Sequence, residues 1–418
     1  MPDGDEKFLE AADRLGSRLC RDAICFNGRC NWIGASLEPV GQSWTVVQRA
    51  FGPDLYAGTS GIALFLARLY DLTREPVHRK IGQAAVAQSR SQIDRLRDTG
   101  GSGFYSGMTG VAYAWSEIDG ILGGGDLTAQ ARTLLSEVAA SNVELAGLDV
   151  VSGCAGAIPV LLAMNRRLDE PSLREFAVRL GERLLSTAKP RNTGMSWHTI
   201  DVPAIDDLTG FSHGAAGIAW ALLELFAETG DDRLNQAANA GFAYERACYS
   251  AEHKNWPDFR VFGPQPVSAE SKPSYGLAWC HGAPGIGLSR LRAYALTGDV
   301  TYRNETNAAV TATVEGLRQP NYLGNYSLCH GLFGNADLLI DAGAALHDPT
   351  LKNEARVLGM RALERHHDDD QPWPCGVPAG PETPGLMLGI AGIGYFYLRL
   401  FDSVKNPSVL CVGGLEVK

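Results

Sequence analysis

The sequence predicts an all-α fold of seven stacked helix pairs. A Gly-x-x-Gly step recurs seven times along the 418 residues, and an apolar run of helical length follows each one. The segments between steps, such as HRKIGQAAVAQSRSQIDRLRD and LTAQARTLLSEVAASNVELA, are amphipathic, with apolar residues at helical spacing. Sustained strand alternation is scarce. Each repeat therefore reads as an apolar inner helix that begins at the step and a polar-faced outer helix. No pair can bury its apolar helix alone, so the pairs must stack. A stack that closes on itself gives an α/α barrel with every inner-helix N-terminus at one mouth.

Taken in order, residues 1–50 read as lead-in helices, beginning with the acidic, amphipathic MPDGDEKFLEAADRL. The repeats occupy 51–400. The first is LYAGTSGIALFLARLY, with its step at Gly58 and Gly61, and the second is FYSGMTGVAYAW at Gly107 and Gly110. DVVSGCAGAIPVLLAM at Gly153 and Gly156 and FSHGAAGIAWALLELF at Gly214 and Gly217 come next. WCHGAPGIGLSRLRAY (Gly282, Gly285), LCHGLFGNADLLIDAG (Gly331, Gly334) and LMLGIAGIGYFYLRLF (Gly389, Gly392) complete the set, and a C-terminal tail follows. Glycine at the step permits a tight turn or a close approach of backbones.

Composition narrows the function. The chain is 45% hydrophobic and 20% charged, ordinary globular values. A net charge of −10 leaves no basic face to offset phosphate, so no nucleic-acid partner is expected. The N-terminus lacks the basic and apolar regions of a signal peptide, and no run is long enough to span a membrane; AGIAWALLELFA is interrupted by Glu224. A cytoplasmic protein is expected. The nine cysteines are too sparse for a secreted disulfide scaffold, so most should be buried thiols. Cys20, Cys25 and Cys30 lie five residues apart, a spacing that steps around a helix instead of along one face, and no metal is assigned to them.

Three steps differ from the others. They carry Ser212-His213, Cys280-His281 and Cys329-His330 directly before the first glycine, and Asp149 precedes Gly153 by four residues. Helix N-termini gather unpaired N–H groups and partial positive charge, so these side chains would converge on a mouth suited to thiolates. Two Cys with one or two His form a soft tetrahedral set that fits zinc. The set comes from separate repeats, so the closed fold must assemble it, as in catalytic zinc sites; buried core cysteines are the alternative. Cys154 is a lesser candidate for lining the cavity. HHDDDQPWPCG reads as a solvated loop, Cys375 as structural, and Trp279 and Tyr275 as packing for the mouth.

WCHGAPG, LCHG and SHGAAG, in this order on seven Gly-step helix pairs, resemble the LanC-like lanthipeptide cyclases. The likeness runs over essentially the whole chain, 1–418, as a single cyclase domain. ICFNGRCNWIGASLEP and WPCGVPAGPETPGLMLGIAGIGYFYLRLFDSVKNPSVL resemble most the C-terminal cyclase domain of the class II synthetases called LanM. The resemblance implies an α/α toroid of seven inner and seven outer helices with one Zn2+ at the mouth. It assigns the ligands to Cys280, Cys329 and His330 and leaves the fourth position to water or a substrate thiolate. It makes His213 the acid/base group and Asp149 its orienting partner. His281 is left with three roles: donating the proton, contacting an enolate oxygen, or hydrogen-bonding behind the ligands. A closed Cys2His2 site with His281 as fourth ligand stays formally open. Some class I cyclases carry an Arg shortly before the first zinc cysteine; KPSYGLAWC has none, so that role is not transferred.

The implied reaction adds a peptide Cys thiolate to a dehydroalanine or dehydrobutyrine of the same peptide, closing lanthionine or methyllanthionine. The implied partners are a dehydrated precursor peptide (leader plus core) and a dehydratase, separate or in the same longer polypeptide. Two other readings remain: addition of glutathione or another thiol to dehydroamino acids, and a non-catalytic toroid that binds a peptide or glutathione.

Overall fold

At all seven second glycines, a Cβ would collide with the carbonyl oxygen six residues earlier. The separation would be 1.6 Å at Gly110 from Phe104 O and 2.2 Å at Gly61 from Leu55 O, with Gly156, Gly217, Gly285, Gly334 and Gly392 between these values. The incoming segment of each repeat thus lies directly against the first turn of its own helix, a crossing only glycine accommodates. Seven inner helices start at these crossings. They are α2 (Thr59–Thr73), α5 (Met108–Leu122), α7 (Cys154–Leu168), α9 (Ala215–Thr229), α11 (Ala283–Thr297), α13 (Leu332–Ala345) and α15 (Ile390–Phe401). They are apolar nearly all round, as helices buried on every side must be. In α15, every residue from Ile390 to Leu400 is buried.

The outer layer is α3 (Pro76–Ser91), α6 (Asp126–Ala139), α8 (Pro171–Thr187), α10 (Asp232–Cys248), α12 (Val300–Leu317) and α14 (Pro349–Leu363), each packed on the inner helix before it. A short α4 (Asp94–Arg97) follows α3. Side chains of Asp231, Asp299 and Asp348 cap α10, α12 and α14 by accepting backbone N–H bonds two residues on. The seventh outer helix comes from the other end of the chain: α1 (Asp3–Asp22) packs against α15. Inner helices touch in the cyclic order α2, α5, α7, α9, α11, α13, α15 and back to α2, so the ring is closed. The fold is an α/α toroid of seven inner and seven outer helices. This computed structural model describes residues 3–40, 43–97, 101–262, 267–268, 270–319, 324–368 and 371–413.

Residues 1–50 differ from the expectation of lead-in helices. After α1 come two antiparallel hairpins, β1 (Ile24–Phe26) with β2 (Arg29–Asn31), and β3 (Ile33–Val40) with β4 (Ser43–Ala50); a further pair, β5 (Lys189–Pro190) and β6 (Met195–Ser196), joins α8 to α9. Asn27 and Gly28 both have positive φ, 48° and 74°, as a two-residue type I′ turn requires. That turn brings Cys25 opposite Cys30, and the two form a disulfide. The thiol reading therefore fails for this pair; the other seven cysteines are free, and four of them, Cys154, Cys329, Cys375 and Cys411, are buried. The solvated reading of the HHDDDQPWPCG loop holds for Gln371, Pro372 and Pro374, which are exposed, and fails for His366. His366 is 7% exposed and packs on Trp373 at 4.9 Å; residues 369–370 lie outside the described residues. Among the described residues, no helix is long and apolar enough to cross a membrane.

Candidate metal centre

The residue two before the first glycine of each step is Tyr56, Tyr105, Val151, Ser212, Cys280, Cys329 and Met387 in turn. A single cycle of backbone hydrogen bonds links these positions. Tyr56 N–H donates to Tyr105 O (2.9 Å), Tyr105 to Val151 O (3.1 Å), and Val150, one residue off, to Ser212 O (2.9 Å). Ser212 donates to Cys280 O (3.1 Å), Cys280 to Cys329 O (3.2 Å), Cys329 to Met387 O (2.9 Å), and Met387 to Tyr56 O (2.8 Å). Successive repeats, and the last with the first, thus hold one another at the mouth, with their backbone groups paired. Cys280 and Cys329 are neighbours in this cycle. The Cys280 step also carries the exceptional glycine: Gly282 has φ +94°, whereas the other six first glycines are extended.

Ligand atoms of Cys280, Cys329 and His330 lie within 4.8 Å of one another, the one such His/Cys/Asp/Glu group among the described residues. The His330 ring nitrogen Nε2 donates to the Gly376 carbonyl at 2.8 Å. A carbonyl accepts only from an N–H, so this bond fixes the tautomer and leaves the Nδ1 lone pair for a metal. Two sulfurs and an oriented imidazole nitrogen are a donor set that fits zinc. The sulfurs already interact. Cys280 is raised well above the ordinary thiol pKa by its hydrogen bond to Cys329 and by burial. Cys329 is lowered by that same bond and, against burial, by the Tyr56 hydroxyl and the field of Arg260. The bond between them thus pushes the two thiols apart, and Cys329 is the one that gives up its proton more readily.

On the neighbouring step, His213 Nδ1 donates to Asp149 Oδ2 at 2.6 Å. The imidazole is partly open, its side chain 23% exposed, while the carboxylate is 2% exposed. The other oxygen, Asp149 Oδ1, accepts from Ser152 N–H at 2.7 Å and Ser152 Oγ at 2.9 Å. His281 lies behind this face, 4% exposed, with its ring centroid 5.9 Å from that of His213. Burial, aided by Arg260, pushes its pKa down to about 3, so it is neutral. It is not part of the three-ligand group. Cys154 is fully buried, and burial pushes its thiol up to about 12, so it lines nothing reactive. Trp279 is buried as expected, whereas Tyr275 stacks on His253 at 3.9 Å.

Sequence reasoning missed two residues near the sulfurs. Tyr56 occupies the same position in its step as Cys280 and Cys329, a signal that could have found it. Arg260 comes from the long connection between α10 and α11. Asp258 grips it with three bonds of 2.6 to 3.1 Å, and the segment is pinned by Ile205 N–H to Phe259 O and Val261 N–H to Pro203 O, both 2.8 Å. Although burial opposes it, the hydrogen bonds from Arg260 hold Asp258 below the usual carboxylate range.

Residues 50–411 match the family described as lanthionine synthetase C-like protein. The chain belongs to that family. It is 22% identical over 97% of its length to the lacticin 481/lactococcin biosynthesis protein LcnDR2 of Lactococcus lactis subsp. lactis, and spans 42% of that relative's length. Its fold is similar to that of nisin cyclase, with TM-score 0.61 and 18% identity over 84% of this chain and 89% of that one. A GH76 α-mannanase of Bacteroides thetaiotaomicron is similar at TM-score 0.51 and 10% identity, covering 95% and 96%. The second likeness shows that the toroid serves unrelated chemistry, so function must be argued from the mouth.

Proposed function

We propose that this lanthionine synthetase C-like chain, 1–418, acts as one zinc-dependent cyclase domain that closes lanthionine and methyllanthionine rings in dehydrated precursor peptides. The observation carrying this reading is the meeting of Cys280, Cys329 and His330 within 4.8 Å, beside a His213–Asp149 pair. A zinc ion held by those three side chains would supply Lewis acidity that lowers the pKa of an incoming thiol, with a fourth position left for it.

The chain's own residues do the rest. Asp149 accepts from Nδ1 of His213, so Nε2 on the opposite edge of the ring is the basic nitrogen. It takes the thiol proton. The sulfur bonds to the β-carbon of the dehydroamino acid, the alkene π pair moves to the α-carbon as an enolate, and His213 returns a proton there. No atom is gained or lost. Arg260 and the Tyr56 hydroxyl offset the negative charge gathered at the sulfurs. Buried and neutral, His281 packs behind His213 and Cys280 instead of exchanging protons. Holding sulfur and alkene together in the mouth supplies the entropic part of the rate. The dehydratase that prepares the peptide acts beforehand, as a separate protein or as part of a longer polypeptide.

The test supplies a dehydrated peptide, leader plus core, with one free cysteine. Cyclisation removes the free thiol at unchanged mass. With glutathione present, a mass gain equal to glutathione would instead mean intermolecular addition, and a persistent thiol on zinc-loaded protein would mean binding without turnover.

A further inference from the structure

After α15 the chain turns back and climbs inside the ring of inner helices. Its contacts trace the climb. Arg399 Nε donates to Asn406 O at 3.2 Å, and Tyr395, one turn nearer the start of α15, donates its hydroxyl to Pro407 O at 2.9 Å. Ser408 Oγ then bonds Asp337 Oδ2 of α13 at 2.5 Å. At the top, the Tyr105 hydroxyl donates to Val409 O at 2.7 Å and Trp279 Nε1 to Leu410 O at 3.0 Å. From there the chain descends, and Gly413 lies beside the Glu224 carboxylate of α9, which Arg292 of α11 grips at 2.6 and 3.0 Å. Val409 and Leu410 are 2% and 1% exposed. Beneath this loop lies a cavity of about 840 Å³ at the far end of the toroid.

The tip of the loop thus presses against the underside of the backbone cycle. Tyr105 belongs to that cycle, and Trp279 immediately precedes Cys280. The Trp279 indole is wedged between Tyr105 and Phe211, at centroid distances of 5.2 and 5.7 Å. An indole N–H and a phenol buried at this depth need acceptors, and two buried carbonyls need donors, so each side fixes the other.

We propose that this re-entrant C-terminal loop positions the metal centre: Val409 and Leu410 lock Trp279 and Tyr105 from below, hold Cys280 at its distance from Cys329, and floor the chamber so that substrate enters only from the mouth. The inference rests on the metal reading of Cys280, Cys329 and His330. Trp279 and Tyr105 are positioning residues, with no contact to substrate.

Two variants test it: Trp279→Phe with Tyr105→Phe, which keeps both rings and removes both tethers, and a chain ended after Ser403. Zinc affinity is measured by competition with a chromophoric chelator, and ligand geometry by the visible spectrum of the cobalt(II) form. Zinc affinity should fall about tenfold or more, in the range of lost supporting contacts, and the sulfur-to-cobalt absorption should shift. A purely structural tether would lower Tm and move neither. Wild-type affinity and an unchanged cobalt spectrum in a variant with native far-UV circular dichroism would overturn the proposal; if the shortened chain fails to fold, the double variant decides. Cys280→Ser separates the two ideas. Unchanged zinc affinity in that variant would sink the metal reading, whereas its loss beside an unaffected tether variant sinks only this inference.

Discussion

Replacing Asp149 by Asn changes one atom, and the surrounding bonds dictate where that atom goes. Oδ1 accepts two bonds from Ser152, at 2.7 and 2.9 Å, which favour the Asn carbonyl on that side. The amide NH2 then faces His213 Nδ1 across the 2.6 Å gap that Oδ2 filled. Two donors cannot share that gap. Either the imidazole moves its proton to Nε2 and loses its basic nitrogen, or the amide flips and strands the Ser152 donors at roughly 1–3 kcal/mol. In both cases the positive imidazole formed during proton transfer loses an adjacent carboxylate worth a few kcal/mol at the effective dielectric of a partly buried pair. The sum is about 3–5 kcal/mol, or about 10²- to 10⁴-fold in rate. The assay is single-turnover loss of free thiol from a dehydrated peptide, with zinc content measured in parallel. The turnover rate constant should fall by that factor with KM and zinc unchanged. A rate within about threefold of wild type would refute the tautomer argument.

Other consequences are simpler to check. Cys280→Ala or Cys329→Ala should abolish zinc retention and cyclisation together, as metal analysis and thiol loss would show. Gly110→Ala must push Phe104 O away from a Cβ that would lie 1.6 Å from it, and should lower stability by about 1–3 kcal/mol in denaturant unfolding. Burial, with Asp337 adding repulsion against the pull of Arg399, lifts Asp341 from 3.8 to about 7. The folded chain therefore keeps a proton that the unfolded chain has lost between these values, and stability from this group falls as pH rises across that window. Its slope is at most about 1.4 kcal/mol per pH unit. Asp341→Asn should flatten that stretch of the stability–pH curve.

How much was legible in the sequence depends on how hard each constraint is. A Cβ cannot occupy the space of a carbonyl oxygen, so the seven crossings wrote seven glycines in one frame, and the helix pairs followed from them. Cys280-His281 and Cys329-His330 were visible for the same reason, since equal positions in that frame meet at the mouth. Tyr56 shares the frame but did not stand out, because tyrosine is common in cores and only the closed ring sets its hydroxyl against Cys329. The pairing of α1 with α15 leaves no local trace; it joins opposite ends of the chain to close a ring. In the N-terminal hairpins the strands are short, and the cysteine spacing was read on a helix although Asn27-Gly28 between them is a two-residue hairpin turn. Arg260 lies in a connection without periodicity, and the climb of residues 402–413 depends on single acceptors for Tyr105 and Trp279, which no pattern announces.

X-ray absorption at the zinc edge, taken before and after adding a dehydrated cysteine-containing peptide, tests the central claim most directly. The account predicts two sulfurs near ~2.3 Å with one nitrogen and one oxygen in the free protein, and a third sulfur once the peptide is bound. A zinc environment of four protein donors that does not change on peptide addition would contradict it, as would a Cys280, Cys329 and His330 set that takes up no metal.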